Sequence, residues 1–102
     1  MKKPKIFIAC DTTNINKVKK IINRSHSEKI KIGYKFGLEF MNSKTGRQFV
    51  SKLKNKIIFL DLKLNDTVNT MMSATKALKD IKIKYLTVHI SSGLAALKAV
   101  KK

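Results

Sequence analysis

Cysteine is nearly absent from this chain of 102 residues, arginine is scarce, acids are few and no long apolar run occurs. The single cysteine, Cys10, excludes an internal disulfide framework. It falls inside a predicted strand and reads as a small buried hydrophobe in a reducing cytoplasm. No apolar stretch approaches the roughly 20 residues that a membrane helix requires. The basic start, Met1-Lys2-Lys3-Pro4-Lys5, leads into an apolar run that stops at Cys10 before Asp11. That is shorter than the apolar core of about 7–15 residues in a secretory signal, and no cleavage site follows. A cytoplasmic location is the expectation. No Gly-x-Gly-x-x-Gly follows the first strand, no Cys/His cluster has metal-ligand spacing, and no Ser–His pairing suggests a hydrolase.

Six acids face 23 basic residues, for a formal net charge of +17. Arg24 and Arg47 are the only arginines, and the lysines are scattered over every segment. Nucleic-acid readers favour arginine, stacking aromatics or a concentrated basic stripe. The aromatics here sit among aliphatics in predicted strands, so nucleic-acid binding is disfavoured as the primary role. The positive field still attracts anionic small molecules. With 43% hydrophobic residues, the chain has enough apolar material for one small domain and not for two.

Four apolar runs read as strands: Lys5 to Cys10, Lys29 to about Lys35 and on toward Gly37, Ile57 to Leu64, and Tyr85 to Ile90. Between them, helical spacing appears from Ile15 to about Arg24, from Asn42 or Ser43 to about Lys54, and from Asn69 to Lys79. Ser91-Ser92-Gly93 opens a last helix containing Leu94, Ala95, Leu97 and Val100. Met71 and Met72 read as core filling, and His26, in a polar loop, as a surface residue.

The first apolar residues of the strands, Ile6, Ile30, Ile57 and Ile83, recur at intervals of 24, 27 and 26 residues. Equal strand–helix units imply a parallel sheet, because each helix must carry the chain back to the same edge. Little alternation in the strands predicts cover on both faces. A doubly wound sheet stays open on this evidence. Asp11, Lys35, Asp61 with Lys63, and His89 all fall near the carboxyl ends of successive strands. A (β/α)8 barrel draws its catalytic groups from those ends, and at about 250 residues for eight units this chain amounts to half a barrel.

The densest chemistry lies in Phe59-Leu60-Asp61-Leu62-Lys63-Leu64-Asn65-Asp66-Thr67-Val68-Asn69-Thr70. Alternation in a strand sends Asp61 and Lys63 to one face, Leu62 and Leu64 to the other. Charges at the end of a buried strand are costly unless function keeps them there. Asp61 through Asp66 resembles the Asp-x-Lys-x-x-Asp signature of the orotidine 5′-phosphate decarboxylase suprafamily, and Asn69-Thr70 follows at the decarboxylases' own spacing. Tyr34-Lys35-Phe36-Gly37-Leu38-Glu39 resembles the family's Lys-Val-Gly-Leu-Glu segment. Ile8-Ala9-Cys10-Asp11 resembles its Ala-Leu-Asp opening, and Leu86-Thr87-Val88-His89 its fourth strand. Asn65 stands where many relatives have His or Ala, and Thr67-Val68 replaces the usual Ile-Pro; neither touches a charge of the signature.

The resemblance implies a TIM barrel of which residues 1–102 are the truncated N-terminal part, about the first four β/α units. It implies cofactor-independent and metal-free decarboxylation of orotidine 5′-phosphate to uridine 5′-phosphate by a homodimer with shared active sites. Lys63 would be the cation and proton donor at C6, Asp61 would lie against the departing carboxylate, and Lys35 would bridge Asp61 and the ribose. Asp11 would bind ribose hydroxyls. Asp66 would reach the neighbouring subunit's site, with Thr70 approaching the ligand from that partner side. His89 would support the barrel interior by hydrogen bonding. Phosphate-gripping groups would lie beyond Lys102, so the chain alone is expected to be inactive or nearly so. The rival readings are a metal-dependent sugar-phosphate decarboxylase or synthase of the same suprafamily, a basic RNA-binding fragment, and a half-barrel that pairs with a second copy.

Overall fold

A strand that carries large apolar side chains at alternate positions must have a covering layer on that face, and short helices returning the chain supply it. The computed structural model describes residues 5–25 and 30–101. The expectation for His26 lies outside them. Strands β1 (Lys5–Ala9), β2 (Lys31–Gly37), β3 (Ile57–Leu64) and β4 (Tyr85–Val88) form one sheet. Helix α1 (Ile15–Arg24) follows β1, α2 (Leu38–Met41) and α3 (Gly46–Ser51) follow β2, and α4 (Val68–Lys76) follows β3. A 3₁₀ turn at Ile90–Ser92 and α5 (Leu94–Lys101) follow β4.

All neighbouring strands pair in parallel, in the order β1-β2-β3-β4. Crossovers of one hand, taken in sequence order, keep every helix on the same side of the sheet. A doubly wound sheet needs a reversal of strand order that is not found among the described strands. The pattern is that of the first units of a (β/α)8 barrel.

Burial alternates more than expected from the apolar composition of the strands. Tyr34, Phe36, Ile58 and Leu60 are buried under the helices, packed with Val18 and Ile22 of α1, Phe40 and Met41 of α2 and Val50 of α3. Each such side chain contributes about 1.5–3 kcal/mol when fully buried. Tyr34 keeps its hydroxyl satisfied against Ser25 Oγ at 2.7 Å. The opposite face is open. There Phe7, Phe59 and Tyr85 meet in edge and tilted contacts with centroids 5.3–5.8 Å apart. Gly33, the register partner of Phe7, makes room for that ring: a Cβ at Gly33 would come within 2.6 Å of it.

Helix α1 matches its expected span, with Asn14 Oδ1 accepting from the amides of Asn16 and Lys17. The helix expected from Asn42 or Ser43 to about Lys54 is shorter at both ends, as α3, and an unexpected short helix, α2, precedes it across a turn. Ser43 Oγ donates to the Phe40 carbonyl at 2.6 Å and accepts from the Gly46 amide at 3.1 Å, so it holds the turn and α3 starts three residues later. Four residues of α2 are too few to leave a periodic signal. Helix α4 begins at Val68 because Thr67 caps it through the Thr70 amide, and it ends at Lys76 rather than Lys79. Beyond it Arg47 takes the Ala77 carbonyl at 2.7 Å and grips both carboxylate oxygens of Asp80. Strand β4 stops at Val88, two residues short of expectation, where the 3₁₀ turn takes over.

Gly46 is buried, and a Cβ there would fall on the Phe40 carbonyl oxygen, a backbone atom that cannot move aside cheaply. Gly46→Ala is expected to cost about 1–3 kcal/mol. In a domain of this size that lowers the thermal midpoint by roughly 4–8 °C per kcal/mol. An unchanged midpoint in a calorimetric scan would show that the α2–α3 turn relaxes freely.

Candidate active site

Strand β3 brings its charged residues to the open face at its carboxyl end. Its pairing with β4 is regular up to Leu60↔Leu86 and resumes at Leu64↔Val88. Four residue steps on β3 therefore oppose two on β4, and the surplus is absorbed as an irregularity. Within it Lys63 adopts φ +49°, in the left-handed region. A lysine there costs roughly 1–2 kcal/mol relative to ordinary backbone. Asp61 and Lys63 do meet, as alternation predicted, but through this distortion and not through regular pleating.

Asp61 is the hub. Lys63 Nζ donates to its Oδ1 at 3.0 Å, and Lys35 Nζ, from β2, lies 3.7 Å from its Oδ2. Thr87 Oγ1, from β4, donates to Oδ1 at 2.8 Å. The Asp61 side chain is 17% exposed, whereas that of Lys63 is 70% exposed and reaches toward solvent. The Lys63 ammonium, followed by the Thr87 hydroxyl, holds the Asp61 carboxyl below the usual carboxylate range, against the opposing effect of partial burial. Two ammonium groups share one carboxylate, so the trio carries a net positive charge and favours an anionic ligand.

Asp11 lies just past the end of β1 and is exposed, lining a shallow cleft of about 180 Å³ with Thr12, Thr13, Gly37 and Glu39. Ala9 pairs with Lys35 and Gly37 with Asp61, so the register carried on places Asp11, Gly37 and Asp61 at one level. A Cβ on Gly37 would meet nothing within 4 Å, so the sheet is open at this level. Beside this cleft the Cys10 thiol is buried and pushed up to about 11, first by burial and then by Asp11, so it stays protonated at neutral pH.

Asp66 and Thr70 are not drawn into the trio. Asp66 Oδ1 accepts from the Thr67 amide at 2.7 Å, and Thr70 Oγ1 accepts from the Thr67 hydroxyl at 3.0 Å. Both residues are exposed at the start of α4. Among the described residues no hydrogen bond or ion pair joins either to Lys35, Asp61 or Lys63. His89 is exposed, and its Nδ1 engages Ser91 Oγ at 2.6 Å. Sequence reasoning missed Thr87 and Gly37 as parts of the site. The available signal for Thr87 was its place two residues before His89 on a strand adjacent to Asp61. Among the described residues no group of three or more His, Cys, Asp or Glu side chains is arranged to hold a metal ion.

Because the Asp61 carboxyl lies below its unfolded value of about 3.9, its ionised form stabilises the native state above that pH. The contribution is lost as pH falls through the lowered native value. At neutral pH, Asp61→Asn is expected to cost about 1–3 kcal/mol, since the bonds lost are to charged or donating partners. The gap between the urea midpoints of the two proteins should close on acidification below about pH 4. A gap of constant size would rule out a charge-based role for Asp61 in stability.

Residues 4–102 match the family described as orotidine 5′-phosphate decarboxylase / HUMPS. The orotidine 5′-phosphate decarboxylase of Buchnera aphidicola is 40% identical over 101 residues, covering 97% of this chain and 42% of that protein. That of Prochlorococcus marinus is 38% identical over 100 residues, covering 96% and 40%, and that of Malacoplasma penetrans 33% over 103 residues, covering 99% and 43%. The chain thus spans about two fifths of the length of these relatives. The match runs through every strand and through the Asp61–Lys63 segment, and the chain belongs to the orotidine 5′-phosphate decarboxylase / HUMPS family.

Proposed function

We propose that this chain carries the catalytic carboxylate and lysines of an orotidine 5′-phosphate decarboxylase, and that residues 1–102 form the first four units of one barrel domain. The observation that carries this reading is the Lys35–Asp61–Lys63 arrangement, in which one carboxylate is held between two ammonium groups at the carboxyl end of a parallel sheet. Decarboxylation of orotidine 5′-phosphate breaks the bond from C6 to the carboxylate carbon. CO2 departs, and the electron pair remains on C6. The ring delocalises that pair poorly, so a cation already in place beside C6 is worth about 3 kcal/mol or more in a site that excludes water. Lys63 is that cation and passes a proton to C6, giving uridine 5′-phosphate; solvent then reprotonates the amine.

Asp61 faces the substrate carboxylate, and the repulsion between them ends as neutral CO2 forms. Lys35 joins Asp61 to the ribose, keeping the charges alternating. Asp11, across the space left by Gly37, takes ribose hydroxyls. Asp66 and Thr70, which stand apart from the trio within one chain, serve the site of a partner subunit in a homodimer. No metal or organic cofactor takes part. No helix among the described residues is long and apolar enough to cross a membrane, and a cytoplasmic enzyme acting on a small anionic substrate fits the composition.

Remote contacts to the substrate phosphate supply binding energy for the chemistry, and in such barrels they come from the loops after the last strands. The direct test joins this chain to the remaining barrel units of the Buchnera relative and follows loss of orotidine 5′-phosphate absorbance. The completed barrel is expected to turn over and the 102-residue chain alone to show only background. Lys63→Ala in the completed barrel is expected to lower kcat by roughly a thousandfold, about 4 kcal/mol, with the far-ultraviolet spectrum unchanged. Retained turnover in that variant overturns the assignment of Lys63. Turnover by the chain alone overturns the need for a second half.

A further inference from the structure

The irregularity in β3 leaves a backbone problem that the lysines do not solve. Between Leu60 and Leu64 the ladder to β4 is interrupted, so the Lys63 amide has no carbonyl opposite it in the regular pattern. Thr87 Oγ1 takes that amide, at 2.9 Å. The same oxygen donates its proton to Asp61 Oδ1, at 2.8 Å. The directions are fixed by chemistry: an amide N–H can only donate and a carboxylate can only accept, so the single hydroxyl proton must point at Asp61. One side chain therefore ties together the backbone of Lys63 and the carboxylate to which the Lys63 ammonium binds.

We propose that Thr87 is the positioning residue of this site, its hydroxyl setting the orientation of Asp61 and the left-handed backbone of Lys63 together. This rests on the reading of Lys63 as the cation beside the reacting carbon. In the absence of the hydroxyl, the Lys63 amide loses its partner and the strand can relax toward regular pairing, which would carry the ammonium away from its place. Asp61 would at the same time keep only its two lysines, Lys63 on Oδ1 and Lys35 facing Oδ2, both carried on long flexible side chains. A displacement of about 1 Å in such a group can cost a hundredfold in rate. The lowered carboxyl pKa of Asp61, to which the Thr87 hydrogen bond is the second-largest contribution, agrees with the geometry.

Thr87→Val keeps the shape of the side chain and removes both hydrogen bonds, and Thr87→Ser keeps both bonds. The experiment reads the carboxyl carbon of Asp61 by nuclear magnetic resonance as pH is lowered, in the 102-residue chain and both variants. Lys35 and Lys63 are the charged groups that face this carboxylate and are unchanged throughout. Thr87→Val is expected to shift the midpoint upward and Thr87→Ser to restore it; a midpoint unmoved by Thr87→Val overturns the proposal. Amide exchange at Lys63 in the unsubstituted protein gives a second reading that needs no variant: slow exchange is expected, and exchange at the rate of an open loop overturns it. In the completed barrel, Thr87→Val is expected to lower kcat roughly tenfold or more while KM stays within about twofold, as when a bond needed only in the transition state is lost. A shifted titration with unchanged kcat would overturn the positioning role and leave the Lys63 assignment standing. Failure of Lys63→Ala to reduce turnover would overturn the assignment of Lys63 on which this proposal rests and leave the titration result standing.

Discussion

One carboxylate held between two ammonium groups is the interaction on which the rest of this structure turns. Separately, Lys35 and Lys63 would repel one another across the ends of β2 and β3, and a half-buried acid would resist ionisation. With Asp61 between them the three groups form an alternating row at 3.0 and 3.7 Å. The row stands where β3 departs from regular pairing and β4 supplies a hydroxyl to the Lys63 amide. The sheet beneath is regular where it needs to be rigid: Phe36, Ile58 and Leu60 are buried to 1% exposure or less. Rigidity below and distortion above are two halves of one arrangement, since a strained segment persists only where its surroundings over-determine it.

Much of this could be read before any coordinates. The even spacing of apolar runs implied a parallel sheet, because the returning helices have few other places to go. The carboxyl-end positions of Asp11, Lys35, Asp61 and Lys63 followed from strand boundaries alone. What could not be read depended on neighbours distant in sequence. The φ of +49° at Lys63 comes from mismatched strand lengths between β3 and β4, and no local preference of lysine announces it. Thr87 looked like an ordinary β-branched strand residue, and only the register brings its hydroxyl to Asp61, 26 positions earlier. In the sequence Gly37 reads only as the end of the second strand, yet what matters is the empty space above it. The break between α2 and α3 was hidden for a different reason, since Ser43 caps a helix in most contexts and here binds a carbonyl on one side and an amide on the other.

The charge of +17 is also clearer in three dimensions. Asp11, Glu39, Asp61 and Asp66 cluster around the carboxyl ends of the strands, whereas Lys5, Lys31, Lys56 and Lys84 sit at or just before the amino ends. The acids therefore divide the lysine-rich surface. The end that holds the trio is a mixed field with local pairing, and on the connection leading into β4 Asp80 is paired with Arg47. A small anion approaching the mixed end finds particular partners there. Elsewhere the scattered lysines add a diffuse attraction, which salt screens within about 10 Å.

The vacancy at Gly33 has a consequence for how this sequence can drift. The ring of Phe7 occupies the volume that a side chain at Gly33 would need, and Phe7 in turn anchors contacts with Phe59 and Tyr85. The two positions therefore do not vary independently. A larger residue at position 33 requires the Phe7 ring to shift or shrink, and a smaller residue at position 7 removes its contacts with Phe59 and Tyr85. Substitutions at positions 7 and 33 are therefore coupled through one shared volume, and the effect of either depends on which residue already stands at the other.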